Sequence, residues 1–394
     1  MLRYLTSGES HGQSLITIIE GIPSNLNIDV DNINKELSRR QQGYGRGDRM
    51  RIEEDKVNIL SGMRGSITIG SPIAIEIKNK DYENWKEYMN PVEEIDKNTK
   101  IVSKVRPGHA DMVGSLKYDF EDVRNVLERA SARETAARVA VGALCKEFLS
   151  KFNIDFTSHV VQLGKHKVNK SFEFNYIKKE SEISKVRCVD KEYEELFINE
   201  IKKAKEEGDS LGGIFEVRIK NVISGLGSYV HYDKKLDSQL SAHIMSIQAI
   251  KGVEFGLGFE MGTLKGSEVH DEIYYSKERG IYRNTNRLGG IEGGMSTGEE
   301  IVIRGVMKPI PTLYKPLNSI DINSLENYKA SIERSDNCAL PAACVVAENV
   351  CAFVIAKIFM EKFGKDNMRD IIKNYQNYLE RLSDRGWKVD TKFI

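Results

Sequence analysis

The stretch at 340–360, LPAACVVAENVCAFVIAKIFM, is the most apolar run in the chain, yet it carries Glu348, Asn349 and Lys357 inside it. About 20 such residues would reach across a bilayer. A charge at mid-membrane, however, costs at least about 2.5–3.5 kcal/mol, so the segment is expected to be a helix buried inside the protein. Such a helix, apolar on every side, has to be enclosed by other structure. A second helical region is expected over 122–152, rich in small residues from 130 to 143. Small side chains let another backbone come close, so this helix should also be central.

Around these two segments the pattern is mixed. An apolar run at 14–19 leads through Gly21-Ile22-Pro23 to a charged helix at 31–40, and a strand is expected at 71–77. The order strand, glycine turn, helix recurs at 215–219, 225–227 and 235–249, which suggests an internal duplication. Residues 165–209 read as a charged peripheral excursion with a Lys/Glu helix near 197–207, and 361–394 as a helical extension whose helix, 366–385, is solvated. No low-complexity linker divides the 394 residues, so one domain spanning 1–394 with a mixed α/β core is expected.

Charge excludes several classes. Lys plus Arg and Asp plus Glu both number 58, whereas a general nucleic-acid or membrane-surface binder carries a basic excess. Neither partner is expected. The five cysteines show no C-x-x-C spacing and the amino terminus, MLRYLTSGES, has no apolar core, so a reduced, cytoplasmic chain is expected. There is no G-x-x-x-x-G-K-[ST] loop, no G-x-S-x-G elbow and no helical histidine pair for zinc.

The remaining chemistry is concentrated in a few places. His11 and His109 stand in glycine-flanked polar sequences, GESHG and RPGHAD, where an imidazole can exchange a proton with a ligand. Arg39, Arg40, Arg46, Arg49 and Arg51 crowd one region with interleaved glycines, and Arg129, Arg133 and Arg138 crowd another. Arginine forks bind phosphate and carboxylate bidentately, and the glycines let backbone approach an anion. Ser131-Ala132-Arg133-Glu134 fits a capping box whose helix N-terminus would favour a phosphate.

Three blocks, GESHGQSLITIIEGIP at 8–23, ERASARETAARVAV at 128–141 and RSDNCALPAACVVAEN at 334–349, resemble the signature regions of chorismate synthases. RRQQGYGRGDRM, RPGHAD, GVEFGLGFE, GGIEGGMSTG and GVMKPIPTLYKP fall between them in matching order. Two departures are Ala130, where the family commonly has serine, and Asn337, where it commonly has proline.

The resemblance implies an α+β fold, a β-α-β sandwich of antiparallel sheets around central helices, assembled as a homotetramer. It implies a lyase that removes phosphate from 5-enolpyruvylshikimate 3-phosphate (EPSP) by 1,4-elimination, using reduced FMN with no net redox change, in the shikimate pathway of aromatic amino acid biosynthesis. His11 would protonate the departing phosphate, His109 would hold the charge state of the reduced flavin, and Asp336 would assist removal of the ring proton. Arg40, Arg46, Arg49, Arg106 and Arg133 would face substrate or NADP. Arg129, Ala130, Ser131, Gln248, Ala249, Gly293, Lys308, Pro309, Ile310, Pro311, Thr312 and Arg334 would contact the flavin. No metal site is implied. The same residues also suit an NAD(P)H-dependent flavin reductase, and the arginine-rich loop a non-enzymatic anion- or RNA-binding module.

Overall fold

The computed structural model describes residues 1–47, 53–95, 99–333 and 335–388. Strand β1 (Arg3–Ser7) pairs with β2 (Ser14–Glu20), and α1 (Val30–Gln41) follows. Strands β3 (Val57–Ile59) and β4 (Ile73–Lys78) complete an antiparallel sheet in the order β1-β2-β4-β3. Period-two alternation builds it: Leu15, Thr17 and Ile19 of β2, and Ile73, Ile75 and Ile77 of β4, are buried on one face. Then come α2 (Asp111–Tyr118), α3 (Arg124–Ala130) and α4 (Thr135–Ser150).

The same order of elements then repeats. After β5 (Asp155–Leu163) the chain passes through α5 (Phe174–Ile183) and α6 (Lys191–Glu206) to β6 (Gly213–Lys220). Helix α7 (Leu236–Met245), β7 (Ile250–Phe255), β8 (Ile301–Met307) and α8 (Leu340–Phe363) follow. The second antiparallel sheet runs β5-β6-β8-β7, the strand order of the first, with a two-residue strand, His166–Lys167, beyond β5. Each half is thus strand, strand, helix, strand, strand, helix, as the suggested duplication requires. Helices α1, α4, α7 and α8 lie between the sheets, α4 on the first and α8 on the second. This is the expected α+β sandwich.

Helix α8 is the enclosed helix at its centre. It is long and apolar enough to cross a membrane by composition, but its apolar window is 94% buried inside the protein. Its polar residues are paired there. Glu348 accepts from Arg39 at 2.9 Å and from Ser158 at 2.7 Å and lies beside Lys146. Burial alone would raise its carboxyl, but Arg39 and Lys146 hold it well below the usual carboxylate range. Asn349 donates to Glu36 at 2.7 Å. Gly142 of α4 faces this turn so closely that a Cβ there would sit 2.2 Å from the Asn349 carbonyl oxygen.

Three expectations need correction. The 122–152 helix is interrupted at Ser131, whose ψ of 142° is extended. The Glu128 carbonyl is turned outward to accept from Ser10 N–H at 3.0 Å. Ser131 caps a short 3-10 turn by accepting from Arg133 N–H, and Glu134 turns to Thr6, Arg138 and Gln248, so no capping box forms. Secondly, the 165–209 excursion is not merely peripheral. Its Phe174, Ile177, Phe197 and Ile201 are buried, and α5 packs on β5. Thirdly, the C-terminal helix α9 (Met368–Asp384) buries Met368, Ile371, Tyr375, Leu379 and Leu382, with the Tyr375 ring against Phe152, Phe359 and Phe363. Only its other face is solvated.

Candidate active site

A cavity of about 890 Å³ opens between the two halves. Its walls come from the same three connections in each half. The β1–β2 turn supplies Ser10 and His11, and the segment after α1 supplies Arg46 and Gly47. The long β4–α4 connection supplies Trp85, Arg106, His109 and Ser131. From the second half, Lys205 lies in the β5–β6 excursion, Gln248 and Ala249 follow α7, and the β8–α8 connection brings Lys308, Ile310, Pro311, Thr312 and Asp336.

The two histidines are each gripped by a buried carboxylate. His11 Nδ1 lies 2.9 Å from Glu128 Oε1, and His11 N–H donates to Glu128 Oε2 at 2.7 Å. The imidazole stacks on Trp85 with centroids 4.0 Å apart. Burial would raise the Glu128 carboxyl, but His11 and Arg124 outweigh it and lower it. His109 Nδ1 makes a very short contact with Asp111, which also accepts from Arg106 Nε at 2.8 Å and Arg106 N–H at 3.0 Å. Despite burial, His109 and Arg106 hold the Asp111 carboxyl far below its ordinary value. The other fork of Arg106 donates to Thr312 at 2.8 Å, tying the two long connections together.

Asp336 accepts from Gly47 N–H at 2.6 Å and pairs with Arg46 at 3.2 Å. Its neighbour Asn337 donates its backbone N–H to Gly45 at 2.9 Å and its side-chain amide to Asp209 at 3.0 Å. These bonds fasten the loop where a proline would have stiffened it.

Among the described residues, seven Lys and Arg side chains line the cavity against Glu128, Glu333 and Asp336, a surplus of four. Much of this charge is already engaged. Arg133 donates to Asp55 at 2.6 and 2.7 Å, and Arg40 to the same carboxylate at 3.3 Å. Burial lowers Arg40 to about 9, with Arg133 and Arg46 adding to the effect against the pull of Asp55. Arg39 leaves the site altogether for Glu36, Glu182 and Glu348. Lys308 donates to the Gly108 carbonyl at 2.9 Å, and burial with nearby Lys251 lowers its ammonium.

Of the sequence-predicted residues, His11, His109, Asp336, Arg40, Arg46, Arg106, Arg133, Ala130, Ser131, Gln248, Ala249, Lys308, Ile310, Pro311 and Thr312 come together at this cavity. Pro309 is not in its lining. Arg129 is directed to the Thr6 and Gly8 carbonyls, and Gly293 sits exposed at a hairpin tip with φ +57°. Arg49, Arg51 and Arg334 lie outside the described residues. Residues that sequence reasoning missed are Glu128, Asp111, Asp55, Trp85, Arg124 and Lys205. Asp111, two positions after His109, was open to recognition; Glu128 is 117 residues from His11 and gave no local signal.

A family model described as Chorismate synthase matches residues 2–360. The chain is 56% identical over 378 residues to the chorismate synthase of Alkaliphilus metalliredigens, covering 96% of this chain and 99% of that protein. It is 54% identical to that of Alkaliphilus oremlandii, covering 98% and 100%. A crystal structure of chorismate synthase superposes with a TM-score of 0.78 at 41% identity, covering 97% of this chain and 98% of that one. The chain belongs to the chorismate synthase family.

Proposed function

We propose that this protein converts EPSP to chorismate with loss of phosphate, using reduced FMN without net redox change, as a cytoplasmic homotetramer serving aromatic amino acid biosynthesis. One observation carries the reading. Two histidines, each with Nδ1 engaged by a buried carboxylate, line a single cavity with a surplus of cationic side chains. A volume of about 890 Å³ lies toward the upper end of ligand pockets, which suits a substrate and a cofactor together.

The residues present fit a flavin. Gln248 Oε1 is buried with no hydrogen-bond partner among the described residues, an acceptor suited to a ring N–H. Ala249, Ala130, Ser131, Lys308, Ile310, Pro311 and Thr312 share the lining with it, and would hold the cofactor. Reduced FMN, when bound, supplies electron density to the breaking C–O bond and takes it back. His11 acts as the acid for the departing phosphate, and His109, braced by Asp111 and Arg106, would hold the charge state of the bound flavin. Asp336 is the carboxylate for the ring proton. Arg46, Arg106, Arg124, Lys205 and Lys308 orient the phosphate and carboxylates.

Cell location and assembly have their own support. All five cysteines are free and buried, consistent with a reducing compartment. Exposed Leu5 and Ile18, paired across β1 and β2, favour self-association.

An anaerobic assay with EPSP and dithionite-reduced FMN is expected to release phosphate and chorismate together. His11→Ala and His109→Ala should each lower turnover by about 10²-fold or more while the fold is kept. No phosphate release by the unaltered protein would refute the reading. NADPH in place of dithionite tests intrinsic flavin reduction in the same experiment.

A further inference from the structure

We propose that Glu128 is the positioning residue that decides which nitrogen of His11 delivers the proton. The inference rests on the reading of His11 as the acid. Glu128 reaches His11 through both oxygens: one takes the backbone N–H at 2.7 Å and the other faces Nδ1 at 2.9 Å. Backbone and ring are therefore fixed by one carboxylate, whose side chain is only 2% exposed. The Trp85 ring, stacked 25° from coplanar, fixes the plane of the imidazole from its face.

With Nδ1–H donated to Glu128, the neutral imidazole has its lone pair at Nε2. The protonated ring therefore gives up the Nε2 proton. The N–H bond at Nε2 breaks, its electron pair stays on the nitrogen, an O–H bond forms on phosphate, and Nδ1–H remains on Glu128. A carboxylate can only accept here, so the direction of the proton on Nδ1 is set by the partner's chemistry.

Among the described residues, the other charged groups around the ring lie farther from Nδ1 than Glu128 does. Asp81, from the Lys80–Asn84 turn, has its carboxylate 3.9 Å from Nε2, beyond hydrogen-bond range, and accepts from Asn84 at 2.9 Å. Arg124 of α3 approaches the same Glu128 oxygen, Oε1, but only to 3.7 Å, beyond hydrogen-bond range, and lies over Trp85. Lys100 also sits over Trp85, 3.9 Å from its centroid. Glu128 itself is held in place by the turn of α3 whose carbonyl accepts from Ser10, the residue before His11.

Glu128→Gln is the test, because the amide can present N–H to Nδ1 and so reverse the tautomer without changing the shape of the site. The expected result is a fall in kcat on the order of 10²-fold with KM for EPSP unchanged, and substantial recovery in Glu128→Asp. Imidazole ¹⁵N spectra of the unaltered protein, assigned by comparison with His11→Gln, should show neutral His11 protonated at Nδ1, and Glu128→Gln should move that proton to Nε2. A proton on Nε2 in the unaltered protein, or an unchanged kcat in folded Glu128→Gln, would overturn the proposal. If Glu128→Gln fails to fold, the spectrum of the unaltered protein still decides. Absence of turnover in the unaltered protein would sink the proposed reaction, and the spectrum would still judge the dyad separately.

Discussion

Gly142→Ala puts the central helix crossing to the test. Alanine is the better helix former by about 1 kcal/mol, and Gly142 has ordinary helical backbone, so local propensity favours the change. The crossing opposes it. The new Cβ would lie 2.2 Å from the Asn349 oxygen, 2.5 Å from its carbonyl carbon and 2.5 Å from its Cβ. Two of these atoms are backbone, so no side-chain rotation relieves the overlap and α4 must move from α8. Overpacking costs about 1–3 kcal/mol, and backbone overlap places this case near 3. The net loss is then about 2 kcal/mol. Thermal unfolding at fixed protein concentration should show a melting temperature lowered by about 2–4 °C. A melting temperature equal to or above that of the unaltered protein would mean that the helices are not in backbone contact here, and the packing argument would fail.

Two further predictions follow from charge. Lys205 lines the cavity from α6 with no carboxylate partner among the described residues; Lys205→Gln should raise KM for EPSP and flatten its dependence on salt, and an identical salt series for both proteins would remove it from the site. Burial would raise Glu182 and Glu216, but their arginine and histidine partners hold both at about 2. Because folding depresses these carboxyls below the ordinary value near 4.3, their stabilisation is complete above that pH and is lost as pH falls toward 2. Melting temperature should therefore decline from pH 5 downward, and a flat profile between pH 5 and 3 would contradict the assignment.

What the sequence showed and what it hid divide along physical lines. The enclosed α8 was legible because an apolar run broken by Glu348 and Asn349 has few places to go. His11, His109 and Asp336 were legible by resemblance, and the structure brings all three to one cavity. The capping box at Ser131 failed because Glu134 is drawn instead to the distant Thr6 and Gln248 and to Arg138, while Ser10 takes the carbonyl that would have continued α3. Arginine clustering overstated the charge free for ligand: Arg39 and Arg40 are neighbours in sequence but their side chains serve a buried ion network and Asp55 respectively. Such partners lie tens to hundreds of residues away, beyond the reach of local pattern. The excursion was read from its charged surface, which conceals the apolar stripe of α5 and α6.

The repeated strand order has a consequence for how a ligand lies in the cavity. Equivalent connections of two like units would, by backbone alone, offer a ligand two similar ways to bind, related by exchange of the halves. Side chains break that equivalence at each pair of walls. The short β1–β2 turn presents an imidazole, whereas its counterpart is the long excursion that presents an ammonium. The segment after α1 offers Arg46 where the segment after α7 offers the Gln248 amide, and His109 on one long connection answers to Asp336 on the other. On the proposed reading of His11 as proton donor and Asp336 as proton acceptor, the two roles fall to opposite halves, so the direction of the proposed elimination would be written in the differences between the repeats, while their likeness supplies the container.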